Sequence, residues 1–194
     1  KDLERLRQPV PELDVITPVM FGGTKDAVVG DESFTANISG VSFDYPEINP
    51  PIMFYGRFLN EMDIREGRKV CVIGKEVYKK LFPGGGDPCG KSIRIDGTYY
   101  KVVGVDYKVD GININGRPDQ LVTIPYSLFR KIYNSGDQIH SFAVTAKPGV
   151  VMSSITDRMR TVIARAHTVD PTDEKAVTLF NTELLFAMLD NLFN

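Results

Sequence analysis

The sequence predicts an α+β fold, and three observations carry that prediction. Segments rich in β-branched and aromatic residues recur along the chain, most clearly Phe34–Val41, Leu121–Ile124 and Ser141–Ala146, and such residues fit a pleated, half-buried surface. Met152, Ile155, Met159, Val162, Ile163 and Ala166 recur at three- and four-residue steps, which predicts an amphipathic helix from Val151 to Ala166. Asp96-Gly97 supplies the two positive-φ residues of a tight hairpin after the alternating strand Ser92–Ile95.

Taken in order, Leu3 and Leu6 among charged neighbours read as the end of an amphipathic helix stopped by Pro9 and Pro11. Leu13–Met20 has strand composition despite Pro18, and Gly22-Gly23 is expected to be a turn. Ala27–Val29 and Phe34–Val41 follow as strands. Prolines at 46, 50 and 51 make Asp44–Pro51 a loop or a short helical turn. Met53–Phe58 is an ordered piece, and Asn60–Gly67 reads as a polar turn before the strand Lys69–Ile73.

Val77 and Leu81 stand four apart with Phe82 beside them, so Lys75–Phe82 is expected to be helical. Asp110–Asp119, with Ile112 and Ile114 among Gly, Asn and Pro, reads as a hairpin tip or mobile loop. Leu121–Ile124 is a strand ended by Pro125, and Ser127 is the expected cap of a short helix carrying Leu128, Phe129, Ile132 and Tyr133. Ser141–Ala146 stops at Pro148-Gly149. Beyond the amphipathic helix, Val177–Phe180 is expected to be a last strand. Asn181 or Thr182 would then cap a final helix in which Leu184–Leu189, Leu192 and Phe193 exceed one face.

With 194 residues, 42% hydrophobic and 25% charged, the chain can build one domain or two small ones. A net charge of -2, no Trp and no basic run give no footprint for nucleic acid or for a polybasic membrane contact. The longest apolar run, Leu184–Leu189, falls far short of the ~20 residues of a spanning helix. The chain starts at Lys1 and stops inside an apolar pattern, as expected of a soluble portion cut from between flanking segments. Cys71 lies in an apolar strand and Cys89 follows Pro88 in a turn; two cysteines make no disulfide scaffold, and a bridge between them stays open at this level.

One motif speaks for an enzyme. Gly85–Ser92 reads GGDPCGKS, a literal match to G-x-x-x-x-G-K-[ST], and Val102–Val105 followed by Asp106 resembles the strand that ends in a magnesium-holding aspartate. A phosphate loop, however, leaves a strand and opens a helix whose first amides face the phosphates. Here a helix enters, and a strand with its hairpin turn leaves. Only nine residues separate Ser92 from Val102, too few for a parallel crossover. Lys91 therefore reads as a solvated charge at the start of a strand.

Other chemistry finds no footing. His140 and His167 lack partners at metal-ligand spacing, Gly-x-Ser-x-Gly is absent, and Asp106, Asp110 and Asp119 fall at turns where Asp is common. No catalytic, cofactor-binding or metal-binding residue is expected.

Several fragments in order resemble a known family. Ile38–Val41, Gly56-Arg57-Phe58, Asp63, Val70–Gly74, Leu81-Phe82, Asp87–Lys91, Val102–Val105 and Pro125 are similar to the extracytoplasmic core domain of MacB-like permeases, within the MacB and FtsX group of ABC transporters. Cys89 in place of an aliphatic residue, the insertion at Gly84-Gly85-Gly86 and the stiff Pro50-Pro51 depart from the pattern. The resemblance implies a porter-like α/β subdomain made from both ends of the chain, residues 1–57 and 138–194, with a smaller β-rich subdomain, residues 58–137, inserted between them. It implies a non-catalytic periplasmic domain lying between two membrane helices of a permease. ATP would be hydrolysed by a separate cytoplasmic nucleotide-binding subunit or domain. A second permease copy and a periplasmic adaptor protein are the other partners implied. The alternatives are a peptide- or signal-sensing module and a lipoprotein-extraction subunit.

Overall fold

A computed structural model describes residues 7–110, 117–133, 139–151, 154, 155, 157–159, 161, 177–179 and 184–190. The chain packs as two compact units, one of Lys1–Val19 with Asp137–Asn194 and one of Met20–Gly136. The fold is α+β: mixed sheet with short helices.

The middle unit uses strands β2 (Glu32–Val41), β3 (Met53–Gly56), β4 (Val70–Gly74), β5 (Ser92–Ile95), β6 (Thr98–Asp106) and β7 (Leu121–Pro125), with the second half of β1 (Leu13–Val29). Their order is β2-β7-β4-β6-β5-β1, and β3 joins the C-terminal half of β6. β2 runs parallel to β7 from Asn37↔Leu121 to Val41↔Pro125, and β4 runs parallel to β6 but antiparallel to β7. The β5–β6 hairpin turns through Asp96 and Gly97 at φ 50° and 77°, as the dipeptide requires.

Helices α2 (Lys75–Leu81) and α3 (Tyr126–Ile132) contribute Val77, Tyr78, Leu81, Leu128 and Phe129 to one core with Ile38, Ile73, Ile93, Ile95, Tyr100 and Ile124. Phe129 is the keystone of the α3 side. A Cβ on Gly40 would stand 2.7 Å from Phe129 Cβ, and one on Gly22 3.0 Å from its ring, so β1 and β2 give up side chains where that ring lies.

In the other unit the first half of β1 is followed in the sheet by β8 (Ile139–Ala146), β10 (Leu184–Asp190) and β9 (Val177–Leu179). β10 is antiparallel to β8 from Leu184↔Thr145 to Asp190↔Ile139. The described positions between 154 and 161 are helical, and Ile155 and Met159, four apart, are fully buried. Exposed Arg158 pairs with Glu12 at 2.6 Å.

Five expectations change. Gly22-Gly23 is no turn: β1 runs through it, with Gly23 at φ 67° bending the strand. Residues 20–57, expected with the two ends, pack in the middle unit, because β2 pairs with β7 and buries Ala36 and Ile38 in its core. Asn60–Gly67 is no mere polar turn but frames helix α1 (Glu61–Glu66), with Gly67 left-handed at its C-terminal end. Ser127 does not cap α3, since Pro125 holds that position; its hydroxyl donates instead to the Ile64 carbonyl and ties α1 to α3. Leu184–Asp190 is strand β10, not helix. A short, continuous apolar run fits a buried strand as well as a helix, and pairing with β8 decides it. The expectations at Leu3–Leu6, Ile112, Ile114, Val162–Ala166, Asn181 and Thr182 lie outside the described residues.

Candidate functional site

At the loop that matches a phosphate motif, no helix starts. Gly90 is left-handed at φ 93°, and β5 begins at Ser92. The amides that a phosphate would need are already engaged. Cys89 N–H donates to Asp87 Oδ1 at 2.9 Å, Gly90 N–H to the Val102 carbonyl at 2.9 Å, and Lys91 N–H to the Pro88 carbonyl at 3.0 Å. The Lys91 ammonium lies over the Phe82 ring, 5.8 Å from its centre. Asp106 Oδ1 is engaged as well, accepting from Ile52 N–H and Lys108 N–H at 2.9 Å each. Asp106 here serves as a carboxylate that ties two backbone N–H groups at the end of β6.

The family-like residues have an architectural logic instead. Gly56 is left-handed at φ 65°, and a Cβ there would run into the Val103 carbonyl oxygen and stand 2.6 Å from Cys89 Sγ. Gly104 leaves room for the Arg57 carbonyl, and Gly74 lets the chain pass against Pro118 and Asp119, where a Cβ would be 2.6 Å from the Asp119 carbonyl. These three glycines mark places where backbone crosses backbone without a side chain between.

Beside the Gly56 crossing, Arg57 donates to Asp63 Oδ2 at 2.6 Å and to Oδ1 at 3.3 Å, with Arg68 3.5 Å from Oδ1. Asp63 is fully buried and also completes a capping box with Asn60, each side chain accepting the other's N–H at 2.9 Å. Burial pushes the Asp63 carboxyl up. The hydrogen bonds from Arg57 and from Asn60 N–H, with the charges of Arg57 and Arg68, outweigh it and hold the group below the usual carboxylate range. Asp63 thus fixes α1 to the strand end that Gly56 positions.

Both cysteines are free thiols. Cys71 in β4 pairs with Val102 of β6, and Cys89 lies beside the segment that bonds to Val102 from the opposite edge. Val102 of β6 thus lies between Cys71 and the Gly90-Lys91 segment that follows Cys89, and the two thiols are not bridged. Burial pushes the Cys89 thiol up to about 11, and that of buried Cys71 higher still. An upward shift favours the protonated, less nucleophilic thiol in both.

A cleft lies on the sheet face opposite α2 and α3, reached by Ser39, Val72, Thr123 and Asp106 and covered by the 44–51 segment through Tyr45 and Asn49. The segment is fastened by Lys108, whose ammonium donates to Asn49 Oδ1 at 2.5 Å and to the Pro50 carbonyl at 2.8 Å. The cleft holds about 50 Å³, well under the ~300 Å³ of an ordinary substrate pocket. Asp119 is buried and pairs with Arg117 at 2.7 Å, while Asp110 is exposed. His140 lies in β8 opposite Leu189, and His167 is outside the described residues. Among the described residues no group of His, Cys, Asp or Glu can hold a metal, and no helix is long and apolar enough to cross a membrane. Sequence reasoning missed the role of Asn60, although Asn60-x-x-Asp63 has capping-box spacing, and it missed the cleft, which no local pattern announces.

Comparison with known proteins gives this geometry its place. The chain is 28% identical over 156 residues to the macrolide export ATP-binding/permease protein MacB of Chlorobium phaeobacteroides, covering 80% of this chain and 23% of the relative. It is 33% identical over 119 residues to the pyoverdine export ATP-binding/permease protein PvdT of Pseudomonas aeruginosa, covering 61% and 18%. The chain thus spans less than a quarter of the length of these relatives. In fold it is similar to the periplasmic region of MacB from Actinobacillus actinomycetemcomitans, with a TM-score of 0.72, 20% identity and coverage of 96% of this chain and 77% of the other. It is similar also to the extracellular domain of the ABC-type transporter YknZ from Gram-positive bacteria, with a TM-score of 0.72, 15% identity and coverage of 97% and 87%. Residues 1–162 match the family described as MacB-like periplasmic core domain, and the chain belongs to that family.

Proposed function

We propose that this chain is the non-catalytic, extracytoplasmic domain of a MacB/FtsX-type ABC transporter permease. In this reading it passes ATP-driven movement of the membrane helices to the export of a substrate across the cell envelope. The family match over residues 1–162 is the observation that carries the reading. The engaged amides of Cys89, Gly90 and Lys91 agree with ATP being handled elsewhere. A cytoplasmic ATPase subunit or domain would supply the energy, and a second permease copy and a periplasmic adaptor would complete the machine. The porter-like arrangement of the two chain ends belongs to the same reading.

The names of the relatives give the first cargoes to try, a macrolide and pyoverdine. The test is a full-length permease carrying this domain, reconstituted with its ATPase and adaptor. Removing the domain is expected to abolish vectorial export while ATP hydrolysis by the remainder stays measurable. Export that persists without the domain would overturn the proposal.

A further inference from the structure

The cleft under the 44–51 segment is unused by a purely mechanical domain, and it lies wholly within the middle unit. Ser39 is only 6% exposed and lines the cleft, yet no hydrogen bond among the described residues engages its hydroxyl. It is also not among the sealed, unsatisfied side-chain atoms, so its hydroxyl opens on the cleft. Thr123, its register partner across β2 and β7, lines the same space. The Tyr45 phenol accepts a long 3.4 Å bond from Asn49 Nδ2 and keeps its own proton to donate. Phe21 and Phe58 supply apolar wall.

A cleft lined by hydroxyl-bearing residues between apolar walls suits a polar but uncharged ligand. The two charges at the rim, Asp106 and Lys108, oppose each other, so neither a small anion nor a small cation meets a one-signed field. We propose that this cleft binds a neutral hydroxymethyl group, small enough for about 50 Å³, at the end of a polyol, glycerolipid headgroup or sugar, beside Ser39, Thr123 and Tyr45. The inference goes beyond the transporter reading and does not depend on it.

The test is a titration of this 194-residue chain followed by amide NMR, with glycerol and methyl glucoside as separate probes. Saturable shifts at Ser39, Thr123 and Tyr45 are expected with a millimolar Kd, in keeping with so few ligand atoms. Binding of glycerol alone points to a polyol or lipid headgroup, and binding of the glucoside alone to a sugar. Ser39→Ala and Thr123→Val should each weaken binding by about three- to tenfold, the loss of one hydrogen bond, with unchanged Tm. If Ser39→Ala lowers Tm, Thr123→Val decides. Shifts that never saturate or spread over the whole surface would mean an adventitious additive only and would overturn the proposal. So would inorganic phosphate or ammonium shifting the same amides saturably, or variants that bind as the wild type does. Because binding is read on this chain alone, its failure leaves the transporter reading standing.

Discussion

Asp63→Ala tests whether the residues shared with the family hold the backbone together. The substitution leaves the Asn60 cap of α1 in place but removes the reciprocal half of its capping box, the acceptor of Asn60 N–H, about 1 kcal/mol, and hydrogen bonds from Arg57 to a buried carboxylate, of order 2 kcal/mol. Arg57 and Arg68 are 43% and 40% exposed, so water rehydrates them and the loss stays below that of a fully buried pair. The expected destabilisation is about 3 kcal/mol, roughly a 10 °C fall in Tm for a chain of this length. Asp63→Asn keeps an oxygen for Asn60 N–H but loses the ion pair, and should cost about half as much.

The pH dependence gives the sign. A carboxyl held lower in the folded state than in the unfolded contributes stability above the ordinary range, near pH 4, and loses it as pH falls through the folded value. The gap between wild type and Asp63→Asn should therefore narrow from pH 7 towards pH 3. Urea unfolding across that range measures it. A loss under about 1 kcal/mol for Asp63→Ala, or equal losses for Ala and Asn, would refute the reasoning.

Gly56→Ala and Gly104→Ala should each destabilise by more than about 4 kcal/mol, because a Cβ would meet backbone; Gly97→Ala, with open space around it, should cost only about 1–2 kcal/mol. Urea midpoints of the three variants compare them directly. Thiol labelling at pH 8 should be slow at Cys89 and undetectable at Cys71 until the chain unfolds, and an oxidant should leave the intact mass without an internal disulfide; a loss of two hydrogens under native conditions would contradict the intervening β6. Calorimetry with ATP and magnesium should detect no binding to the wild type, and Lys91→Ala should leave stability within about 0.5 kcal/mol; Lys91-dependent ATP binding would restore the enzyme reading.

Local chemistry was readable wherever two adjacent residues decide the backbone. Asp96-Gly97 announced its hairpin, and Val77, Leu81 and Phe82 announced α2 and its buried face. Long-range packing was not readable. Gly22 looks like turn punctuation, but it is there because a ring 107 residues later, Phe129, lies against β1. Leu184–Leu189 fits helix or strand equally well in isolation, and only the register with β8 settles it. The α1 cap was legible in Asn60-x-x-Asp63 and was obscured by the surrounding charges, which read as a solvated turn. The cleft gathers Ser39, Tyr45, Asp106 and Thr123 from four stretches of chain, so no spacing rule could have joined them.

The phosphate-loop match fails for a physical reason that extends to other short motifs. A phosphate is held by the direction of consecutive amides, and the letters G-x-x-x-x-G-K-S constrain direction only when a helix succeeds them. Gly90 at φ 93° turns its neighbours so that three successive N–H groups are spent on Asp87, Val102 and Pro88. The next element is strand β5, already paired with β6, with Ser92 opposite Lys101. To present those amides to a ligand, the chain would have to break the bond from Gly90 to Val102 and unpair the start of β5, giving up ladder contacts before the first phosphate contact is made. The same glycine that completes the written motif therefore turns the local amides into bonds within the turn and to β6 rather than towards a ligand.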